Sequence, residues 1–401
     1  MRASAIALVF MYHYAVFVSH RPTFGWPSVV GWAGVDLFFV LSGYLIANQL
    51  FAGLARGRTL SVAGFYARRA LRTLPVFWLV LAAYFLLPGA LGGRTPPPLW
   101  RFLTFTQNLG LQPGTAFSHA WSLCVEEQFY FVLPLVLAGA GWLARGRLAI
   151  IRKPPPGGPR GERSSERPFG ALTRTHAWLL LGALATLGIV ARGTLWFTVD
   201  KSTGGDPARF MPFIYYSTLC RFDEFIPGVA IALLKNFHPA AWTRVIAHGR
   251  LLLALGLAGA LAILALAYRE DELDNFGFFM MTFGYTLLAA SFGLLVVAAL
   301  SPSTALHRRR VPGAGSLALW SYSIYLSHKP LAYVMQQALK PFALPEAALA
   351  LLVAVAAIGL GALLYRLVEA PFMALRDRVV PSNFRAAPTA DATGGAVAVN
   401  P

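Results

Sequence analysis

Charge is what this sequence has least of. Only 13% of its 401 residues are Asp, Glu, Lys or Arg, about half the usual soluble share. A soluble chain this long needs charge on roughly a quarter of its residues, so an ordinary soluble domain is excluded. A disordered chain is excluded as well, because 57% of the residues are hydrophobic. Cysteine is nearly missing. Cys124 and Cys220 lie in apolar segments, which excludes a disulfide framework and a Cys-rich metal site; no metal is expected. There is no P-loop, no dinucleotide fingerprint and no G-x-S-x-G elbow. A repeat of 20–50 residues is absent too, which excludes solenoids. Acidic residues number 17 against 34 basic ones, a net charge of +17. In a soluble protein that excess would suggest nucleic acid. Here basic loops that orient a membrane protein explain it, and no nucleic-acid partner is expected.

What is present is a series of apolar blocks near the ~20 residues that cross a bilayer. Ten emerge, at roughly 2–20, 32–52, 72–92, 119–143, 177–199, 212–235, 250–268, 276–300, 316–338 and 345–368. The expected fold class is an all-α polytopic membrane protein with about ten transmembrane helices. The first block lacks a basic n-region and a small-residue cleavage site, and it carries His13, so it does not read as a signal peptide. Residues 99–111 read as a re-entrant or interfacial helix. With rim residues and Lys329 counted in the adjoining loops, the even-numbered loops and the tail hold 23 Lys/Arg and the odd-numbered loops 8. That alternation places both termini in the cytoplasm. Residues 153–168, KPPPGGPRGERSSERP, read as a flexible cytoplasmic linker, and residues 381–401 as a disordered tail. Residues 1–380 form the expected membrane domain. No soluble catalytic domain is legible in the chain, so activity is expected in the membrane core.

Ionisable groups inside a bilayer cost a few kcal/mol each or more, so each needs a reason. The spans contain His13, Asp36, Glu126, Glu127, Arg221, Asp223, Glu224 and His328. At about 1.5 Å per residue, His13 lies about 16 Å from the inner end of its span and His328 about 18 Å. Glu126 and Glu127 lie about 10–12 Å in from the outer side, and Arg221 to Glu224 about 14–18 Å. These depths predict one polar slab around a water-accessible cavity. Each residue also has a plainer reading. An intramembrane His can simply bridge helices. Glu126 and Glu127 point about 100° apart, so one faces the cavity and the other is free to pair with an Arg, Arg221 being the obvious candidate. Asp223 or Glu224 can serve as an ion-pair partner. Trp121, Phe129 and Tyr130 can be packing or interface anchors.

In FYARRALRTLP, Arg68, Arg69 and Arg72 sit at the cytoplasmic rim of the third span. Juxtamembrane arginines can be topology signals or lipid contacts. The sharper reading is a phosphate clamp, since Arg69 and Arg72 are three apart and share a helix face. Pro75 follows as a helix-entry or kink residue. Ser42-Gly43 lets neighbouring helices approach closely.

Six motifs in order give the chain a family resemblance. RASAIALVFMYH, GVDLFFVLSGYLI, ARRALRTLP, WSLCVEEQFYFVLPL, SYSIYLSHKPL and VEAPF run from residue 2 to about 372. Together they resemble the acyltransferase 3 family of integral membrane acyltransferases. Two departures stand out. The family usually has LDGLR-like residues ahead of the first Arg, whereas this chain opens at Met1-Arg2, and Cys124 stands where Ser is common. Members that modify cell-wall polymers often append an extracytoplasmic hydrolase-like domain, which this sequence does not contain.

The resemblance implies transfer of an acyl group, commonly acetyl, from cytoplasmic acyl-CoA to a hydroxyl. Implied acceptors are sugars of surface polysaccharide, glycolipid or peptidoglycan, or small metabolites such as macrolide-type antibiotics. The implied location is the bacterial cytoplasmic membrane. Such chemistry needs a base for the hydroxyl and a donor for the oxyanion. His13 is the expected base, because imidazole titrates near neutrality, with Glu126 or Glu127 orienting it or joining the relay. Arg69 and Arg72, with Arg68 beside them, are the expected CoA-phosphate ligands. Asp36, Trp121, Tyr130, Arg221 and His328 are the expected acceptor contacts. The competing reading is a proton-coupled transporter or flippase using the buried His and Glu groups. The Arg motif and the lack of two-fold internal repeats favour the enzyme.

Overall fold

A computed structural model describes residues 1–92, 94–151, 171–200, 207–271, 277–309 and 311–385. The expected linker 153–168 lies outside the described residues, as does the tail from 386. Helices carry the fold: α1 (Arg2–Tyr14), α2 (Ala33–Ala55), α3 (Val62–Leu86), α4 (Trp121–Ile151), α5 (Ala171–Leu195), α6 (Ile226–Phe237), α7 (Gly249–Asp271), α8 (Tyr285–Leu300), α9 (Ala314–Leu339), α10 (Glu346–Leu364) and α11 (Ala370–Val379). Wide π turns extend α1 and α5, lead into α8, and join α10 to α11. The protein is an all-α, multi-pass membrane protein. Eight helices among the described residues are long and apolar enough to cross a bilayer.

The other two expected spans have different characters. Residues 316–338 form the 26-residue α9, whose polar side chains include Ser321, Ser323, Ser327 and His328. Residues 212–235 are not one helix. The chain runs through a π turn (Met211–Tyr215), a short helix (Thr218–Arg221) and a 3-10 turn (Phe222–Phe225) before α6 begins. Pro212 and Pro227 interrupt the helical donors. Irregular backbone at membrane depth is tolerated where protein surrounds it, and Arg221, Asp223 and Glu224 are each fully buried. The third span also differs. It starts at Val62, capped by Ser61, whose hydroxyl accepts from the Gly64 amide at 3.2 Å, and Pro75 lies inside the unbroken helix. Between α3 and α4, only Leu99–Leu103 is helical within the expected 99–111 segment.

α2 is the central helix, buried along most of its length and packed against α1, α4, α6 and α8. Glycine makes the tightest of these contacts. A Cβ on Gly43 would meet the Phe225 carbonyl, and one on Gly228 would meet the backbone of Val40 and Tyr44. Because backbone atoms on one helix cannot yield to the other, the small residue at each position sets the α2–α6 spacing. The close approach expected at Ser42-Gly43 is therefore observed. Opposite it, α9 lies between α1 and α10, with Gly361 against Ile324.

Candidate active site

α1 carries one polar residue to each side of the site. Arg2 is at its start and His13 in its last turn, about 16 Å apart along the axis. Around His13, α9 contributes His328, and a turn at Ser118–Ala120 contributes His119. Phe117 feeds that turn with a left-handed backbone (φ 56°). Its ring is anchored against Phe77, Tyr84 and Phe102. The His119 ring is buried and stands edge-on to His13 and His328, at centroid distances of 6.1 and 5.6 Å.

Hydrogen bonds assign the tautomers in this cluster. His328 Nδ1 faces two carbonyls, Ile324 O at 3.0 Å and Tyr325 O at 2.8 Å. Carbonyls only accept, so this nitrogen carries the proton. In the neutral ring His328 Nε2 is then an acceptor, and it lies 2.7 Å from His13 Nδ1. His13 Nδ1–H therefore donates to it, which leaves the lone pair of His13 on Nε2. By the same logic His119 Nε2–H donates to Leu326 O at 3.2 Å. Its Nδ1 is a buried acceptor without a hydrogen-bond partner. Tyr325 braces this turn, donating to the His119 carbonyl and accepting from Ser122 at 2.6 Å. Lys329 supplies the positive charge, donating to Ser118 Oγ at 3.2 Å.

The Arg motif lies towards the other end of α1. Arg69 reaches Glu127 at 3.3 Å and sits 3.8 Å above the Tyr130 ring. Arg72 faces Glu369 at 3.8 Å, and Ser323 donates to the same carboxylate at 3.0 Å. Glu126 accepts from Ser42 at 2.5 Å. Ser42 and Tyr130 border a cavity of about 380 Å³ lined also by Arg2, Arg68, Arg69, Arg72 and Arg376. Among the described residues no carboxylate lines it. Arg69 and Arg72 share a face, as their spacing predicts. Arg68 is committed elsewhere, to Asp377 at 2.9 Å and to the Val380 carbonyl.

Several expected pairings are corrected. The side chain hydrogen-bonded to His13 is His328. Glu126 and Glu127, one to two turns into α4 from His119, point to Ser42 and Arg69 instead. Arg221 does not meet either glutamate. It pairs with Asp36 at 3.1 Å and Glu224 at 2.5 Å. It also lies over Tyr285 and Tyr215, with Trp121 at 5.3 Å. Beside it Arg192 grips Asp223 through two hydrogen bonds of 2.7 and 2.9 Å. Asp36, Arg192, Arg221, Asp223 and Glu224 are all fully buried and partnered within this network. The single slab thus resolves into an imidazole cluster, an arginine cavity and a separate ion network. His119 is the site residue that sequence reasoning passes over. It belongs to SHAWSL at the very edge of the fourth span, and its signal was a third histidine beside an apolar block.

The sequence profile described as "Acyltransferase domain" matches residues 1–366. The chain belongs to the acyltransferase 3 family. Within it, the chain is 25% identical over 354 residues to peptidoglycan O-acetyltransferase OatA of Listeria monocytogenes, covering 82% of this chain and 48% of the relative. It is 26% identical over 358 residues to the putative peptidoglycan O-acetyltransferase YrhL of Bacillus subtilis, covering 82% and 47%. O-acetyltransferase OatA of Staphylococcus aureus shares 30% identity over 124 residues, 27% of this chain and 20% of the relative. The chain spans about half the length of the first two of these curated relatives. No solved structure matches. The histidines and Arg2, Arg68, Arg69 and Arg72 fall inside the stretch matched to the acyltransferase 3 family, whereas Glu369 and Arg376 lie beyond it. Among the described residues no group of His, Cys, Asp and Glu is arranged to hold a metal ion.

Proposed function

We propose that this protein is a membrane O-acyltransferase of the bacterial cytoplasmic membrane. It would move an acyl group, acetyl by preference, from cytoplasmic acyl-CoA to a sugar hydroxyl of the cell envelope. One observation carries the reading. The His328–His13 hydrogen bond leaves a free imidazole lone pair inside the membrane core, on the helix whose other end opens on a cavity lined by five arginines. A proton acceptor and a polyanion site joined by one helix suit a reaction in which a phosphate-rich carrier presents its acyl group to a hydroxyl. The relatives' names supply the acceptor class, a peptidoglycan-type sugar.

In this mechanism Arg69 and Arg72 grip donor phosphates, and the thioester arm extends along α1 towards His13. The acceptor hydroxyl gives its proton to His13 Nε2 as its oxygen bonds to the thioester carbonyl carbon. His328 holds His13 in the competent tautomer and shares the positive charge that forms. Lys329 stabilises the developing oxyanion electrostatically. The C–S bond then breaks, and the leaving thiolate takes the proton back from His13 Nε2–H, giving ester and free thiol. His119 Nδ1 is placed to accept from and orient the acceptor. Asp36, Trp121 and Arg221 act as frame, because Arg221 is held by Asp36 and Glu224 in a buried ion network beside the Trp121 ring. The test is acetyl transfer from labelled acetyl-CoA to amino-sugar glycans by the purified protein in detergent. Labelled glycan supports the reading; no transfer and no acetyl-CoA cleavage rejects it.

A further inference from the structure

The last described residues form a strap over the arginine cavity. Residues 380–385 turn back from α11 and pair antiparallel with the loop before α3. The Ser61 amide donates to Asn383 O at 2.9 Å, and the Arg385 amide to Thr59 O at 3.0 Å. Phe384 is seated against Gly53, where any Cβ would collide with its ring. It packs on the cluster of Ile46, Leu50, Leu60, Phe65 and Tyr130. Arg68 ties the strap from the other side through Asp377 and the Val380 carbonyl. The tail expected to be disordered from residue 381 is therefore docked as far as Arg385. The strap lies beyond the stretch matched to the family.

Asn383 is the strap residue that faces the cavity. It lines the pocket with the arginines, is only 5% exposed, and its side-chain Oδ1 has no hydrogen-bond partner. Leaving a buried acceptor unmade is costly, so this one points to a ligand. A phosphate offers only acceptors at this position and is already served by Arg69 and Arg72. A carboxamide presents one acceptor and two donors side by side, a pattern that pairs with the exocyclic amine and N7 of adenine. We infer that Asn383 binds the adenine edge of the nucleotide on the acyl donor, so that the strap forms the nucleobase wall of the donor site. The amine of the base donates to Oδ1, and Nδ2 donates to the ring nitrogen. Position agrees with this assignment. Asn383 lines the cavity together with Arg2, at the start of α1, while the thioester must run inward along α1 towards His13.

This inference rests on the acyl-CoA reading, and one calorimetric titration separates the two. Full-length protein in detergent is titrated with CoA, with etheno-CoA, whose adenine amine is blocked, and with 4′-phosphopantetheine, which has no nucleotide. Asn383→Ala and Asn383→Ser are compared with the unaltered protein, and matched melting curves establish that the strap still docks. Loss of neutral hydrogen bonds predicts CoA binding about three- to tenfold weaker in both variants. Phosphopantetheine binding should not change, and etheno-CoA should bind the unaltered protein no better than CoA binds Asn383→Ala. Unchanged CoA affinity in either folded variant overturns the inference, as does equal weakening of CoA and phosphopantetheine. Absence of CoA binding by the unaltered protein overturns the donor reading and this assignment with it.

Discussion

His328 Nε2 lies 2.7 Å from His13 Nδ1, and this one contact decides which nitrogen of His13 is free to take a proton. The carbonyls of Ile324 and Tyr325 fix the far side of His328. A backbone helix turn thus sets the tautomer of a ring on another helix. In the serine hydrolase triad an Asp does this job; here a neutral imidazole does it.

In the proposed mechanism His328 is a positioning residue, and its loss should lower turnover without moving donor affinity. His328→Ala is expected to cost about 10²-fold in kcat, since His13 loses the partner that selects its tautomer. His328→Gln, which can still accept through its amide oxygen, should recover part of that loss. Steady-state rates at saturating acetyl-CoA check this. Equal activity in His328→Ala and the parent would return His328 to a packing role.

Arg69 and Arg72 should separate binding from stability. Arg69→Ala leaves Glu127 buried without its partner, which costs about 3–5 kcal/mol where burial is complete, less here because the pair is slightly exposed. Adding Glu127→Gln should restore the melting temperature but not CoA binding. Arg72→Ala should weaken CoA about 10- to 100-fold, as expected for lost hydrogen bonds to a charged group. Lysine at either position should rescue only partly, because it lacks the bidentate fork. CoA affinity that recovers in the double variant would show that Arg69 serves the fold alone.

The ion network should behave as frame. Arg221→Met strands Asp36 and Glu224 in the interior and should destabilise the protein by about 3–5 kcal/mol. Melting in detergent and yield from membranes would report it. Any folded fraction should keep its kcat within a few-fold. A stable Arg221→Met protein with normal melting but no transfer would instead place Arg221 in contact with substrate.

The glycines at the α2–α6 contact allow a purely steric prediction. Gly228→Val should cost about 1–3 kcal/mol or more, since its side chain meets backbone atoms of Val40 and Tyr44 that cannot move aside. Gly359→Val, where a Cβ meets nothing within 4 Å, should be nearly neutral. Similar melting of the two variants would contradict the packing described.

Topology is tested by reporters inserted in the 153–168 linker and next to Glu270. The Lys/Arg bias puts them on opposite sides of the membrane. Reporters on one side would break the orientation used to call the arginine cavity cytoplasmic.

Much of this was legible in the sequence because it is local. Span length and apolarity foretell eight of the ten blocks, and the three-residue spacing of Arg69 and Arg72 puts both into one cavity. Partnering was not legible. Residue counting puts Glu126 and His13 in one slab, but Glu126 lies further into α4 from His119 and meets Ser42 beside the arginines. The break at 211–225 had signals in Pro212, Pro227 and the charged residues Arg221, Asp223 and Glu224. A window wide enough to see a span averages them away. His119 opens the fourth apolar block but precedes its helix, and only the left-handed turn at Phe117 swings it inward.

The central claim is that His13 Nε2 is the base for acyl transfer. Single-turnover transfer from labelled acetyl-CoA by His13→Ala, alongside CoA titration of the same sample, tests it most directly. Transfer is expected to fall about 10²–10⁴-fold with CoA affinity unchanged, since the arginine cavity lies at the far end of α1. A folded His13→Ala protein that binds CoA and transfers acetyl at near the parent rate would contradict the mechanism.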